Sequence, residues 1–388
     1  MPFPHSVYKT QRIVPLRFER GVTGQPLIQF PDLDNRGWFR ADPAGNNAAT
    51  NDHGFVVGVT QGDVVFVKVV REKLENSANV FVTSSNTATM TVSQMGTGFD
   101  QLTNSHDMFI AITGVNGGAG AAPNIARVQL RFGSNSGPII GELSVWVYKK
   151  LNVNITPHNV TIQDAGGGSI PSAANITAIM DIVKAVWRPA GVEITVAAVQ
   201  NETVTFANAG VAAWQAEINT LLSTNWVPSS INAYFINQIF IAGADSAGVL
   251  GLGISRPNSV AFGTPNPGII LGDTNRSGSN RAADAHWLAN DIAHEVGHFF
   301  TLPHVDNIDN PGRNDTGALR LLMHPINTHF FNDFRNDTGY GVDAAGDGYR
   351  GALVSLKDLT DSGNAAHHST DGETRTTRTV ISSVAGPY

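Results

Sequence analysis

The stretch His294-Glu295-Val296-Gly297-His298-Phe299-Phe300-Thr301-Leu302-Pro303-His304 decides how the rest of the chain is read. On a helix, residues four apart share a face, so His294 and His298 can offer two imidazoles to one metal ion. Glu295 follows the first of them and can serve as a general base on a metal-bound water. Upstream, Ala282, Ala283, Ala285, Trp287, Leu288, Ala289, Ile292, Ala293 and Val296 recur with a helical period, which predicts a buried amphipathic helix running into the motif. His304 lies six residues past His298, beyond the expected helix end, and is the candidate third ligand. A carboxylate from the following loop, Asp306, Asp309 or Asp315, is the alternative.

A second segment, Leu321-Leu322-Met323-His324-Pro325, follows at a distance that suits a turn beneath the histidines. Together the two segments resemble the metzincin clan of zinc metallopeptidases, whose pattern is H-E-x-x-H-x-x-G-x-x-H followed by a methionine-containing turn. All three histidines and the glutamate match. The clan's glycine is replaced by Thr301. A β-branched residue disfavours the positive φ that such a glycine adopts, so the turn is expected to form differently, with Pro303 fixing the approach to His304.

The resemblance implies a catalytic Zn²⁺ on His294, His298 and His304, with Glu295 as general base and Met323 as a hydrophobic floor under the imidazoles. It also implies an extended peptide paired with an edge strand just before the active-site helix. Residues 259–263, with Val260, Ala261 and Phe262, are the first candidate for that strand, and Leu252-Gly253-Ile254 the second. The opposite wall would be residues 323–327, including Pro325.

The 388 residues suggest two domains. Residues 1–148 hold short β-branched runs at 54–59, 64–70, 79–83, 87–92, 108–113, 126–132 and 143–148, separated by turn residues, which predicts a β-sandwich-like N-terminal domain. His53 and His106 are isolated there and read as ordinary histidines. Residues 149–388 form the second domain, with a strand at 151–156, a helix capped by Ser172, a strand at 192–199, a helix at 212–222 and strands at 231–240, 248–254, 259–263 and 268–272. The expected class is therefore α+β, a metzincin-like domain with a twisted mixed sheet and an active-site helix, preceded by the all-β domain. The last twenty residues, rich in Ser and Thr, read as a mobile tail or an edge strand.

Charged residues make up only 15% of the chain, against about 25% in typical globular proteins. The net charge is −7 with no basic block, which excludes nucleic acid as a partner. There is no cysteine, so neither a disulfide framework nor a thiolate ligand exists. No apolar run reaches the length of a membrane span. The segment Met1 to Val7 lacks the features of a Sec signal peptide. A secreted or exported protein is the expectation, with the signal already removed or another export route used; action inside a cell is the alternative. Asp343 and Asp347, in a Gly/Asp-rich loop, could hold Ca²⁺ as well as form a plain turn.

The leading expectation is a zinc-dependent endopeptidase acting on protein or peptide substrates, with an N-terminal domain that docks on a surface or protein partner. The alternatives are a β-rich binding or adhesion protein whose zinc site is structural, and a zinc hydrolase of a non-peptide amide.

Overall fold

The computed structural model describes residues 16–19, 56–71, 80–95, 107–163, 169–171, 174–205, 214–237, 251–255, 264, 266–272, 285–302, 322 and 373–383. The chain divides into two compact units, Met1–Lys150 with Arg188–Gly191, and Leu151–Trp187 with Val192–Tyr388.

The first unit contains β1 (Leu16–Glu19), β2 (Val56–Thr60), β3 (Val64–Arg71), β4 (Val80–Ser84), β5 (Met90–Met95), β6 (Asp107–Gly114), β7 (Asn124–Phe132) and β8 (Ile139–Tyr148). They form two four-stranded sheets, β1-β3-β6-β5 and β2-β8-β7-β4. Alternate residues point to one side of a strand. Val65, Val67 and Val69 of β3 and Val128 and Leu130 of β7 thereby enter one core with Val57, Val59, Val145 and Val147. Gly62 takes φ 86° in the tight β2–β3 turn, a conformation open to glycine, and Asp63 N–H donates to Thr60 O at 2.9 Å to close it. The outward residues of β7 and β8 form a polar ladder, with Arg127 donating to Glu142 at 3.2 Å, Gln129 to Glu142 at 2.9 Å and Arg131 to Gln129 at 2.7 Å.

The second unit contains β9 (Leu151–Gln163), β10 (Ser169–Pro171), α1 (Ile176–Trp187), β11 (Val192–Val196), β12 (Gln200–Thr205), α2 (Trp214–Ser223), β13 (Ile231–Ile236), β14 (Gly251–Ile254), β15 (Gly268–Gly272), α3 (Ala285–Phe299) and α4 (Glu373–Ser383). Its sheet has seven strands in the order β10-β9-β13-β15-β14, with β11 and β12 both pairing β9. β9 is parallel to β13, β11 and β12, and β14 pairs antiparallel with β15 at the edge of the sheet among the described residues. The expected strand at 151–156 runs on through Pro157 to Gln163. Proline donates no ladder hydrogen bond. Here it falls where the neighbour changes from β11, paired as far as Ile155, to β12, paired from His158, so the missing N–H meets a gap in that partner.

The cap of α1 is Asn175, whose Oδ1 accepts from Ala178 N–H at 3.3 Å, rather than Ser172, which lies outside the described residues. One face of the sheet packs α2: Ile218, Leu221 and Leu222 meet Val160, Val204, Tyr234, Ile236, Ile254 and Ile270. The other face carries α3. Trp187 at the end of α1 donates to Ala293 O of α3 at 3.3 Å and meets Phe300 edge-on, with centroids 5.7 Å apart. The C-terminal stretch expected as a tail or strand contains α4, with Thr377, Arg378 and Ile381 buried.

The α2 side also holds a buried polar network. His158, with no exposed surface, bonds Glu202 Oε1 through Nδ1 at 3.2 Å and Asn232 Oδ1 through Nε2 at 3.0 Å. Asn232 is fixed in turn, accepting from Val227 N–H at 2.9 Å and donating to Val227 O at 2.9 Å and Ser230 O at 3.1 Å. Its Oδ1 can therefore only accept, and Nε2 of His158 carries a hydrogen. Tyr234 stacks on the His158 ring at 4.3 Å and donates to Thr224 O at 2.9 Å. Burial, and then the charge of Glu202, hold its phenol well above the usual value of 10.

These observations correct the expected fold class. The described chain is not the α+β, metzincin-like arrangement read from the sequence. It is β-rich, with fifteen strands in three sheets against four α-helices among the described residues. The physical reason lies in strands that the sequence hides: β9 continues through a proline, and β12 is built from the polar run Gln200–Thr205.

His158→Phe keeps the stack on Tyr234 but leaves Glu202 and Asn232 buried without the ring nitrogens. The expected cost is about 3–5 kcal/mol, read as a lower urea midpoint; a loss below about 1 kcal/mol, the worth of one ordinary hydrogen bond, would show that the network is not structural.

Candidate metal and hydrolytic site

α3 is buried at every residue from 288 to 297, so its polar side chains must find partners inside the protein. His294 is 1% exposed and its Nδ1 lies 2.7 Å from Leu322 O. His298, one turn on, has Nδ1 2.8 Å from Leu302 O. A carbonyl can only accept, so each Nδ1 carries the hydrogen and donates. In the neutral ring the lone pair then sits on Nε2, the arrangement that outer-shell carbonyls impose on metal-ligating histidines. The two rings are 4.6 Å apart between centroids and nearly perpendicular, at 88°.

Glu295 is 7% exposed and lies against the glycine edge strand β14. A Cβ on Gly251 would stand 2.6 Å from both Cγ and Oε1 of Glu295. A Cβ on Gly253 would stand 2.5 Å from the Glu295 backbone oxygen and 2.9 Å from His298 Cβ. The two glycines thus let strand and helix approach closely enough to hold the Glu295 carboxylate against β14, with the base of His298 against the same strand. The sequence reading missed this role; its visible signal is the alternation Gly251-Leu252-Gly253-Ile254, with Gly on one face and apolar residues on the other.

Thr301 takes φ 67°. The turn is therefore made in the left-handed conformation a glycine would use, and the expectation of a different turn is corrected. The local structure imposes this on a β-branched residue at about 1–2 kcal/mol.

His294, Glu295 and His298 are brought together on α3. His304, Met323, Val260, Ala261, Phe262 and Pro325 lie outside the described residues, as do Pro303, Asp306, Asp309, Asp315, Asp343 and Asp347. Leu322, which precedes Met323, is buried and supplies the carbonyl that holds His294. Among the described residues, no group of three or more His, Cys, Asp or Glu side chains comes together that could hold a metal ion.

No protein-family model matches the chain, and no curated protein matches it. The solved structures that match include domains 4 and 5 of the S-layer protein SbsC, at 23% identity and TM-score 0.18, and domains 1–6 of the same surface layer protein, at 22% identity and TM-score 0.18. Each covers 24% of this chain, which in turn spans 40% and 12% of those two chains. At that TM-score neither describes this fold. The metzincin assignment is accordingly corrected: no family model and no curated protein supports it, and the described residues assemble no three-ligand group, so classing the chain by kinship as a metzincin or a metalloprotease is withdrawn. A two-histidine, one-glutamate helix is a local device, and a site of this kind does not specify a family.

Gly251→Ala and Gly253→Ala should differ. The first meets only the movable end of Glu295 and should leave the urea midpoint near wild type while displacing the carboxylate. The second meets backbone and should cost about 1–3 kcal/mol by overpacking. Equal stability of the two variants would rule out the close approach of β14 to α3.

Proposed function

We propose that the second unit is a zinc-dependent hydrolase of amide bonds, with an extended peptide as its substrate, in which His294 and His298 bind the ion through Nε2 and Glu295 is the general base. The observation that supports this is the pair of Nδ1–carbonyl hydrogen bonds, which places the Nε2 lone pair on each of two rings one turn apart on the helix that also carries the buried Glu295. The donor set suits zinc, which takes imidazole nitrogen readily. A third ligand would come from the stretch after Leu302, from His304 or from Asp306, Asp309 or Asp315.

Zinc in such a site supplies Lewis acidity and brings the acidity of water near neutral pH. Glu295, held against Gly251 and Gly253, can accept a proton and return it to a leaving amine without moving far. The Leu302 and Leu322 carbonyls keep the two rings in the tautomer that leaves Nε2 for the metal. The outer edge of β14 runs alongside, so an extended substrate could add there as a strand.

A second reading is a β-rich binding or adhesion protein in which the metal is structural. It is favoured by the first unit, whose two sheets share one core and present the Arg127–Glu142–Gln129–Arg131 ladder outward.

Full-length protein should retain zinc after dialysis, and Glu295→Gln should keep the metal while hydrolysis of a mixed peptide library falls by about 10²-fold or more. An unchanged rate in Glu295→Gln, or a wild type that holds no zinc, would sink the hydrolase reading. Zinc held by a wild type that cleaves nothing would leave the binding-protein reading.

A further inference from the structure

We infer that Thr301 is a positioning residue: its left-handed backbone holds the Leu302 carbonyl against Nδ1 of His298 and so determines which nitrogen of that ring faces a metal. The inference rests on the zinc reading for its purpose, while its geometry stands without it.

The helix ends in three successive bonds. Phe300 N–H donates to Val296 O at 3.1 Å, the last bond of helical spacing. Thr301 N–H then turns back to His298 O at 2.9 Å, and Leu302 N–H reaches Gly297 O at 3.0 Å. This pair is the Schellman pattern, which requires a left-handed residue at the turn and is usually built on glycine. Thr301, at φ 67°, fills that position.

The reversal lays the Leu302 main chain beside the last turn of α3. Leu302 then acts twice: its N–H closes the helix, and its C=O accepts from His298, four residues earlier. Its side chain is 3% exposed and Phe300 is fully buried, so packing anchors both sides of the turn, whereas Thr301 itself is exposed. What holds residue 301 in an unfavourable conformation is thus the path of the chain on either side. If that residue could not be left-handed, Leu302 would leave the helix end, and His298 would lose the acceptor that keeps its hydrogen on Nδ1.

His294 provides an internal control. Its acceptor, Leu322, comes from a segment 28 residues away in sequence and owes nothing to Thr301. A change at Thr301 should therefore alter one ring and spare the other.

The test is ring-nitrogen NMR on the metal-free full chain, paired with zinc titration. In wild type both rings should be in the Nδ1–H form. Thr301→Gly, which takes the left-handed region at no steric cost, should retain it with zinc affinity within about twofold. Thr301→Pro, with φ fixed near −65° and no N–H, should shift His298 towards the Nε2–H form and spare His294. Its zinc affinity should fall by about 10–100-fold. Should the proline variant not fold, Leu302→Ala, which weakens one of the anchors holding Thr301 left-handed, should give a mixed His298 tautomer, and adding Thr301→Gly, which needs no such holding, should restore the single Nδ1–H form. An Nδ1–H form of His298 in Thr301→Pro, or identical His298 signals in Leu302→Ala with and without Thr301→Gly, would overturn the inference. A wild type that binds no zinc but shows these tautomer shifts would remove the metal reading and leave the positioning role standing.

Discussion

On a helix buried along ten consecutive residues a polar atom without a partner is costly, and the arrangement around His294, Glu295 and His298 follows from that constraint on α3. Its apolar positions Leu288, Ala289, Ile292, Ala293 and Val296 are fully buried, so the helix is fixed by packing all round. The polar residues between them must then be satisfied by whatever surrounds the helix. His294 takes a carbonyl from one distant segment and His298 takes one from the turn that ends the helix. Glu295 lies where only a strand of alternating glycines can pass. The bonds that make the core tolerable also fix tautomer and orientation, so the stability of the helix and the chemical poise of its side chains have one cause.

The same constraint operates on the opposite face of the sheet. His158, Glu202, Asn232 and Tyr234 are buried beneath α2, and each is held by the next or by backbone of residues 224–230. An isolated histidine in that position would cost far more than it contributes. A connected network instead ties the turn before β13 to the centre of the sheet. The unit therefore carries a polar device on each face, one closed within the protein and one built round the edge strand.

Legibility in the sequence tracked how much the local pattern decided alone. β3, β7 and β15 lie where β-branched or apolar alternation placed them, because those side chains choose their face regardless of neighbours. β12 was invisible: Gln200–Thr205 has little apolar signal, and it is a strand because β9 offers it a paired edge. β9 seemed to stop at Pro157 because the place of a proline in a ladder depends on which partner lies opposite. α4 was read as tail because Ser and Thr mask a stripe of only Thr377, Arg378 and Ile381. At the site, the spacing of His294, Glu295 and His298 was plain in the sequence. The acceptors Leu302 and Leu322, and the contact of Gly251 and Gly253 with Glu295, were not, since backbone carbonyls and missing side chains leave no sequence mark.

Thr301 shows why a motif can mislead about ancestry yet inform about chemistry. Glycine at that position avoids a left-handed penalty of about 1–2 kcal/mol. Against it, the turn gains the Thr301–His298, Leu302–Gly297 and His298–Leu302 hydrogen bonds, each worth about 0.5–1.5 kcal/mol net. Burial of Leu302 adds to them. The sum exceeds the penalty, so glycine is a convenience here and not a requirement. A chain can therefore carry the turn without the residue that marks it in a pattern, and by the same reasoning can carry two histidines and a glutamate on a helix without descending from any family that shares them. What the arrangement can do is decided by where the nitrogens and the carboxylate are held, and those positions are set by Leu302, Leu322, Gly251 and Gly253.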